Sequence, residues 1–170
     1  MIIRKAVLAD AAGIARVHVD SWKTTYQKIV PQDYLDSLKY ETREEMWLNA
    51  IPNGGIFVAE QESGRIVGFA SGGKERSKKY HPEYEGELYA IYLLKECQRQ
   101  GLGKLLVKAV IEHLHQNHIK SMIVMVLEGN PSKNFYESLG AKKIDLEVVD
   151  IGGEKLNELV LAWEDIRPFL

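Results

Sequence analysis

Gln98-Arg99-Gln100-Gly101-Leu102-Gly103-Lys104 decides how this chain is read. Before it stands an apolar run, Leu88-Tyr89-Ala90-Ile91-Tyr92-Leu93-Leu94, which reads as a buried strand. After it, Leu102, Leu105, Leu106, Ala109, Val110 and Leu114 recur at the spacing of one helix face. A glycine-bearing loop therefore joins a strand to a helix N-terminus. The first N–H groups of a helix have no internal partners, and its dipole favours negative charge there. Glycine lets the backbone approach a ligand closely. The stretch reads as a phosphate-binding turn. A tight strand-to-helix connection without a ligand is the plainer alternative.

Two familiar phosphate loops do not fit. A Walker A loop needs Ser or Thr after Gly-Lys, where Leu105 stands, and a glycine where Gln98 stands. A Rossmann fingerprint needs its third glycine where Leu106 stands.

Composition narrows the rest. The 170 residues suit one domain over 1–170, with 45% hydrophobic and 27% charged residues. A net charge of −2 points to neither nucleic acid nor an anionic membrane. No apolar run is long enough to span a bilayer, and Met1 to Lys5 lacks the apolar core of a signal peptide. Cys97 is the single cysteine. A cytoplasmic setting is expected. The oligomeric state, a homodimer included, is left open.

Along the chain, Ile2 to Ala6 reads as a first strand, and Ile14, Val17 and Trp22 as one face of a helix ending near Tyr26. Pro31 opens a second helix, and Glu41 to Ile51 reads as a third. Ile56 to Glu60 and Ile66 to Ala70 form a hairpin around Ser63-Gly64. Lys74 to Gly86 is a polar loop before the central strand. Ser121 to Val126 is a further strand, Asn130-Pro131 opens a helix that Gly140 ends, and strands follow at 144–148 and 159–163. This order predicts an α/β (α+β) fold: a mixed, mostly antiparallel sheet of about seven strands with helices on both faces.

The Gln98–Gly103 pattern, Gln-x-x-Gly-x-Gly after a strand, resembles the acyl-CoA pyrophosphate loop of the GCN5-related N-acetyltransferase (GNAT) superfamily. A second motif, Asn130 followed by Phe135-Tyr136-Glu137-Ser138-Leu139-Gly140, resembles that family's asparagine and Phe-Tyr-Glu-x-Leu-Gly. Many members carry one more residue between the asparagine and the tyrosine, and Phe where Ala141 stands. The element order is similar to the family's along nearly the whole chain.

The resemblance implies an acetyl-CoA-dependent N-acetyltransferase acting on a primary amine of a small molecule or peptide, through a ternary complex. A non-catalytic acyl-CoA-binding module is the alternative. Cofactor contacts then fall on Gln98, Arg99, Gln100, Gly101, Leu102, Gly103 and Lys104. Backbone groups of Ile91, Tyr92 and Leu93 pair with the pantetheine arm. Asn130 and Lys133 add side-chain contacts, although helix capping alone explains an asparagine at 130. The Tyr136 hydroxyl faces the departing sulfur; a phenol of pKa about 10 matches a thiolate of similar basicity.

Amide formation from a thioester also needs a base for the ammonium proton. Glu87 stands eleven residues before Gln98, the spacing of the base in the histone-acetyltransferase branch. A solvated glutamate at a strand start explains it equally well. Strand alternation puts Tyr89, Ile91 and Leu93 on its side. Trp22, Tyr26, Glu87 and Tyr89 are the candidate acceptor contacts, though aromatics at helical spacing are commonly core.

Overall fold

The computed structural model describes residues 1–169. Seven strands form one sheet: β1 (Ile2–Lys5), β2 (Ile56–Glu60), β3 (Ile66–Lys74), β4 (Gly86–Leu93), β5 (Met122–Leu127), β6 (Lys142–Ile151) and β7 (Glu154–Trp163). Their order is β1-β2-β3-β4-β5-β7-β6. Every neighbouring pair is antiparallel except β4 with β5. That parallel pair needs a crossover, and α4 (Leu102–Gln116) provides it. The other helices are α1 (Ala11–Thr25), α2 (Gln32–Ser37), α3 (Tyr40–Ala50) and α5 (Ser132–Ser138). Fold class and strand count are those expected from the sequence.

Among the described residues no helix is long and apolar enough to cross a membrane.

Helices α1 and α4 cover opposite faces. Tyr92 stacks on His18 of α1, with ring centroids 5.5 Å apart. Leu93, the next residue on β4, lies 3.8 Å from where a Cβ on Gly103 of α4 would stand. Successive strand residues point to opposite faces, so the two helices do too. Helix α4 buries Leu102, Leu106, Val107, Val110, Ile111 and Leu114. Leu105, expected on that face, is exposed. Helix α1 buries Ile14, Val17, His18 and Ser21, and α3 sends Trp47 to the same region.

The C-terminal hairpin is longer than the sequence suggests. Gly152 and Gly153 both take positive φ, +62° and +86°, as a two-residue turn matched to strand twist requires. The last strand therefore starts at Glu154, not near Leu159. Residues 154–158 mix charged and apolar side chains and resemble a loop in composition. Pairing with the full length of β6 makes them strand.

A second departure lies in β4. Ser71 pairs with Ala90, but Gly72 pairs with Leu88, so Tyr89 is an extra residue. This bulge breaks the simple alternation expected for Glu87, Tyr89, Ile91 and Leu93.

Candidate active site

Strands β4 and β5 pair at only three positions: Gly86 with Met122, Glu87 with Ile123, and Leu88 with Val124. Beyond Leu88 they diverge. A cleft of about 500 Å³ opens between them. Tyr89 to Leu93 form one wall with no strand partner on that edge, and Val124, Met125 and Val126 form the other. Unpaired backbone N–H and C=O groups need other partners. An extended ligand arm along β4 would supply them, as the resemblance implies for Ile91, Tyr92 and Leu93.

At one end the cleft reaches the loop before α4, lined by Gln98, Arg99, Gly101, Gly103 and Lys104. Gly101 has φ +82° and Arg99 φ +60°. Left-handed residues alternating with ordinary ones turn successive N–H groups toward one point, which makes an anion-binding concavity. Lys104 and Leu105 donate back to the Gly101 carbonyl. Among the described residues, the N–H groups of Arg99, Gln100, Gly101, Leu102 and Gly103 find no acceptor. Five free donors at a helix N-terminus fit a pyrophosphate. Arg99, a non-glycine residue held at positive φ, carries backbone strain of the kind found at ligand sites. A Cβ added at Gly101 would meet nothing within 4 Å, so space remains above the loop.

The side chains of this stretch divide. Gln98 donates to the Leu93 carbonyl at 3.2 Å and ties the loop to β4. Gln100 turns away to the Glu96 carbonyl, and Leu102 is buried in the core. Lys133 does not line the cleft; its neighbour Ser132 does.

Helix α5 supplies the opposite wall through Phe135 and Tyr136. Tyr136 is buried and meets Trp163 edge-on, with centroids 6.3 Å apart. Trp163 is itself fixed by its indole N–H on the Leu139 carbonyl. Burial first, then the nearby Tyr26, pushes the Tyr136 phenol well above its ordinary range. It stays protonated at neutral pH, the state a proton donor needs.

Asn130 combines the two roles open to it. Its Oδ1 accepts from the Ser132 N–H at 2.9 Å and caps α5. Its Nδ2 donates to the Tyr26 hydroxyl at 3.2 Å, and Tyr26 meets the Tyr92 hydroxyl at 3.3 Å. The three residues form a polar chain along the cleft, all within its lining. Burial pushes the Tyr26 and Tyr92 phenols up. Under Tyr92 lies His18, whose Nδ1 accepts from the Trp47 indole; burial, then Arg43, lower His18 to about 3, so the ring is neutral. Trp22 packs on Tyr26 at 4.4 Å and backs the wall without lining it. Tyr89 lines the cleft and donates to the Lys74 carbonyl.

Glu87 departs from the expectation of a free carboxylate at the cleft edge. It is 2% exposed and does not line the cleft. Its oxygens take the Arg76 backbone N–H at 3.0 Å and the Arg76 guanidinium. Arg76 also lies over the Tyr89 ring, 4.1 Å from its centroid. Arg76 stands eleven residues before Glu87, so their pairing closes the polar loop onto the central strand. Glu87→Gln should therefore lower stability by about 1–2 kcal/mol, the cost of weakening a charged hydrogen-bonded pair with one exposed member. Chemical denaturation measures this. The turnover rate should stay near wild type; a 100-fold loss would return Glu87 to the chemistry.

Among the described residues no group of three His, Cys, Asp or Glu side chains could hold a metal ion.

Comparison with known proteins agrees with this geometry. Residues 18–141 match the acetyltransferase (GNAT) family model. An uncharacterized N-acetyltransferase of Bacillus subtilis strain 168, YuaI, is 46% identical over 164 residues, 96% of this chain and 93% of that protein. The PaiA N-acetyltransferase of Thermoplasma acidophilum, solved with coenzyme A, superposes with TM-score 0.75 at 24% identity, covering 95% of this chain and 96% of that one. YncA of Salmonella typhimurium, solved with acetyl-CoA, gives TM-score 0.71 at 21% identity, covering 96% of this chain and 92% of that one. The parallel pair that opens into a cleft, the donor-lined turn at its end and these matches lead to one statement: this chain belongs to the GNAT acetyltransferase family.

Proposed function

We propose that the protein transfers an acetyl group from acetyl-CoA directly to a primary amine of a small molecule or peptide. The observation that carries this reading is the row of five unbonded N–H groups at 99–103, set at one end of a cleft that Tyr136 walls. The loop holds the pyrophosphate. The free edge of β4 holds the pantetheine arm and aligns the thioester carbonyl. Tyr136 gives its proton to the departing sulfur. The single cysteine supports transfer without an acyl-enzyme, because Cys97 is buried in the core and lies outside the cleft lining.

The test is a panel of primary amines (putrescine, amino acids, an alanyl peptide and a lysyl peptide) with thiol detection of released CoA. CoA release that depends on amine is the expected result. Tight acetyl-CoA binding with no amine-dependent release would instead identify a binding module.

A further inference from the structure

The cleft's acceptor side has a carboxylate without a partner. Met125 of β5 lines the cleft. Leu127, two residues on, shares its face. Leu127 pairs across the sheet with Glu158 of β7, and residues directly opposite share a face. Glu158 therefore stands on the Met125 face of the sheet, one strand beyond the cleft wall and outside the cleft lining. It is half-buried, between Leu127, which packs with Tyr26, and Val160, which packs with Ile123 and Met125.

Its charged neighbours are already engaged. Glu147, opposite it on β6, accepts from Lys79 and the Tyr80 hydroxyl. Asp145, two residues before Glu147, takes the same two donors. Glu87 of β4 is held by Arg76. Among these carboxylates Glu158 alone has no hydrogen bond or ion pair within the described residues; only through-space effects of Glu147, Glu87 and Arg76 reach it. The Tyr26 phenol, on the cleft wall, is also within its electrostatic reach.

We propose that Glu158 receives the acceptor: it holds a cationic primary amine beside the cleft and takes the proton that must leave before attack. The inference rests on reading the cleft as an acetyl-transfer site. Burial raises the Glu158 carboxyl above its ordinary range, Glu147 and Glu87 add to this, and Arg76 opposes it. A base shifted toward neutrality is better matched to its task. The ammonium gives one proton to Glu158, which passes it to solvent. The nitrogen lone pair then forms the C–N bond as the C–S bond breaks. The second nitrogen proton leaves to water, while Tyr136 protonates the sulfur and regains a proton from solvent. The sum is ammonium plus thioester to amide, thiol and one proton.

The test compares wild type, Glu158→Gln and Glu158→Asp, using whichever amine of the panel above the wild type acetylates best. Calorimetry with acetyl-CoA should give the same affinity for all three. The Gln variant should lose about 100-fold in kcat/KM at neutral pH, the low end for a general base, and recover toward high pH, where free amine is abundant. The Asp variant should fall between, because the charge remains one methylene short; it also serves if the Gln variant fails to fold. Superimposable pH profiles for wild type and Gln would overturn the role of Glu158 alone. A wild type that binds acetyl-CoA yet acetylates no amine would overturn the transfer reading, and this inference with it.

Discussion

Tyr136→Phe should lower kcat by roughly 100- to 10,000-fold, the range for loss of a positioned general acid, with acetyl-CoA affinity unchanged. The substitution removes one hydroxyl. Phe135 and Trp163 pack against the ring, not the oxygen, so the side chain should keep its place. Among the described residues that hydroxyl makes no hydrogen bond, so its loss leaves no partner stranded. The effect should fall on kcat and kcat/KM alike, the mark of an interaction made only in the transition state. Steady-state kinetics with a demonstrated acceptor, beside calorimetry with acetyl-CoA, separates the two quantities. Near-normal kcat would remove Tyr136 from the chemistry.

Gly101→Val should lower acetyl-CoA affinity by roughly 100-fold or more. Two costs add. At φ +82° an L-residue strains the backbone by about 1–2 kcal/mol, and a β-branched one by more. Relaxing that strain turns N–H groups away from the phosphates, and each hydrogen bond to a charged group contributes about 1.5–3 kcal/mol. About 1.4 kcal/mol is a factor of ten in affinity. The side chain itself would stand in open space, so the core should be undisturbed. Gly103 differs: its φ is ordinary, and a Cβ there would press on Phe135 at 3.2 Å. Gly101 is thus the cleaner probe. Unchanged affinity by calorimetry would remove the pyrophosphate assignment.

What the sequence made legible was local. Strand, glycine turn and helix are punctuated within a few residues, and Gly and Pro mark the other boundaries. What stayed hidden was assembled over distance. The Asn130–Tyr26–Tyr92 chain joins residues 104 and 66 positions apart. Arg76 falls in the stretch that reads only as a polar loop, and the fold sets it against Glu87. The bulge at Tyr89 depends on β3 register, which no single strand encodes. Glu158 escaped notice because its segment was read as leading into a strand starting at Leu159. A longer hairpin, signalled by the Gly152-Gly153 turn, would have found it.

The three-residue pairing of β4 with β5 makes the sheet two plates joined at a short seam. One plate carries β1 to β4, the other β5 to β7, and the cleft is the angle between them. Its width is a matter of leverage: a small rotation at the seam is multiplied along Tyr89 to Leu93. The seam leaves little freedom to rotate. A Cβ on Gly86 would stand 2.8 Å from the Ser121 carbonyl oxygen, backbone against backbone. The Gly86 N–H donates to that same oxygen at 3.1 Å. Arg76 clamps Glu87, the next residue of the seam. The aperture of the cleft is thus set at a pivot at the opposite end of β4 from the Gln98–Lys104 turn, by residues outside the cleft lining.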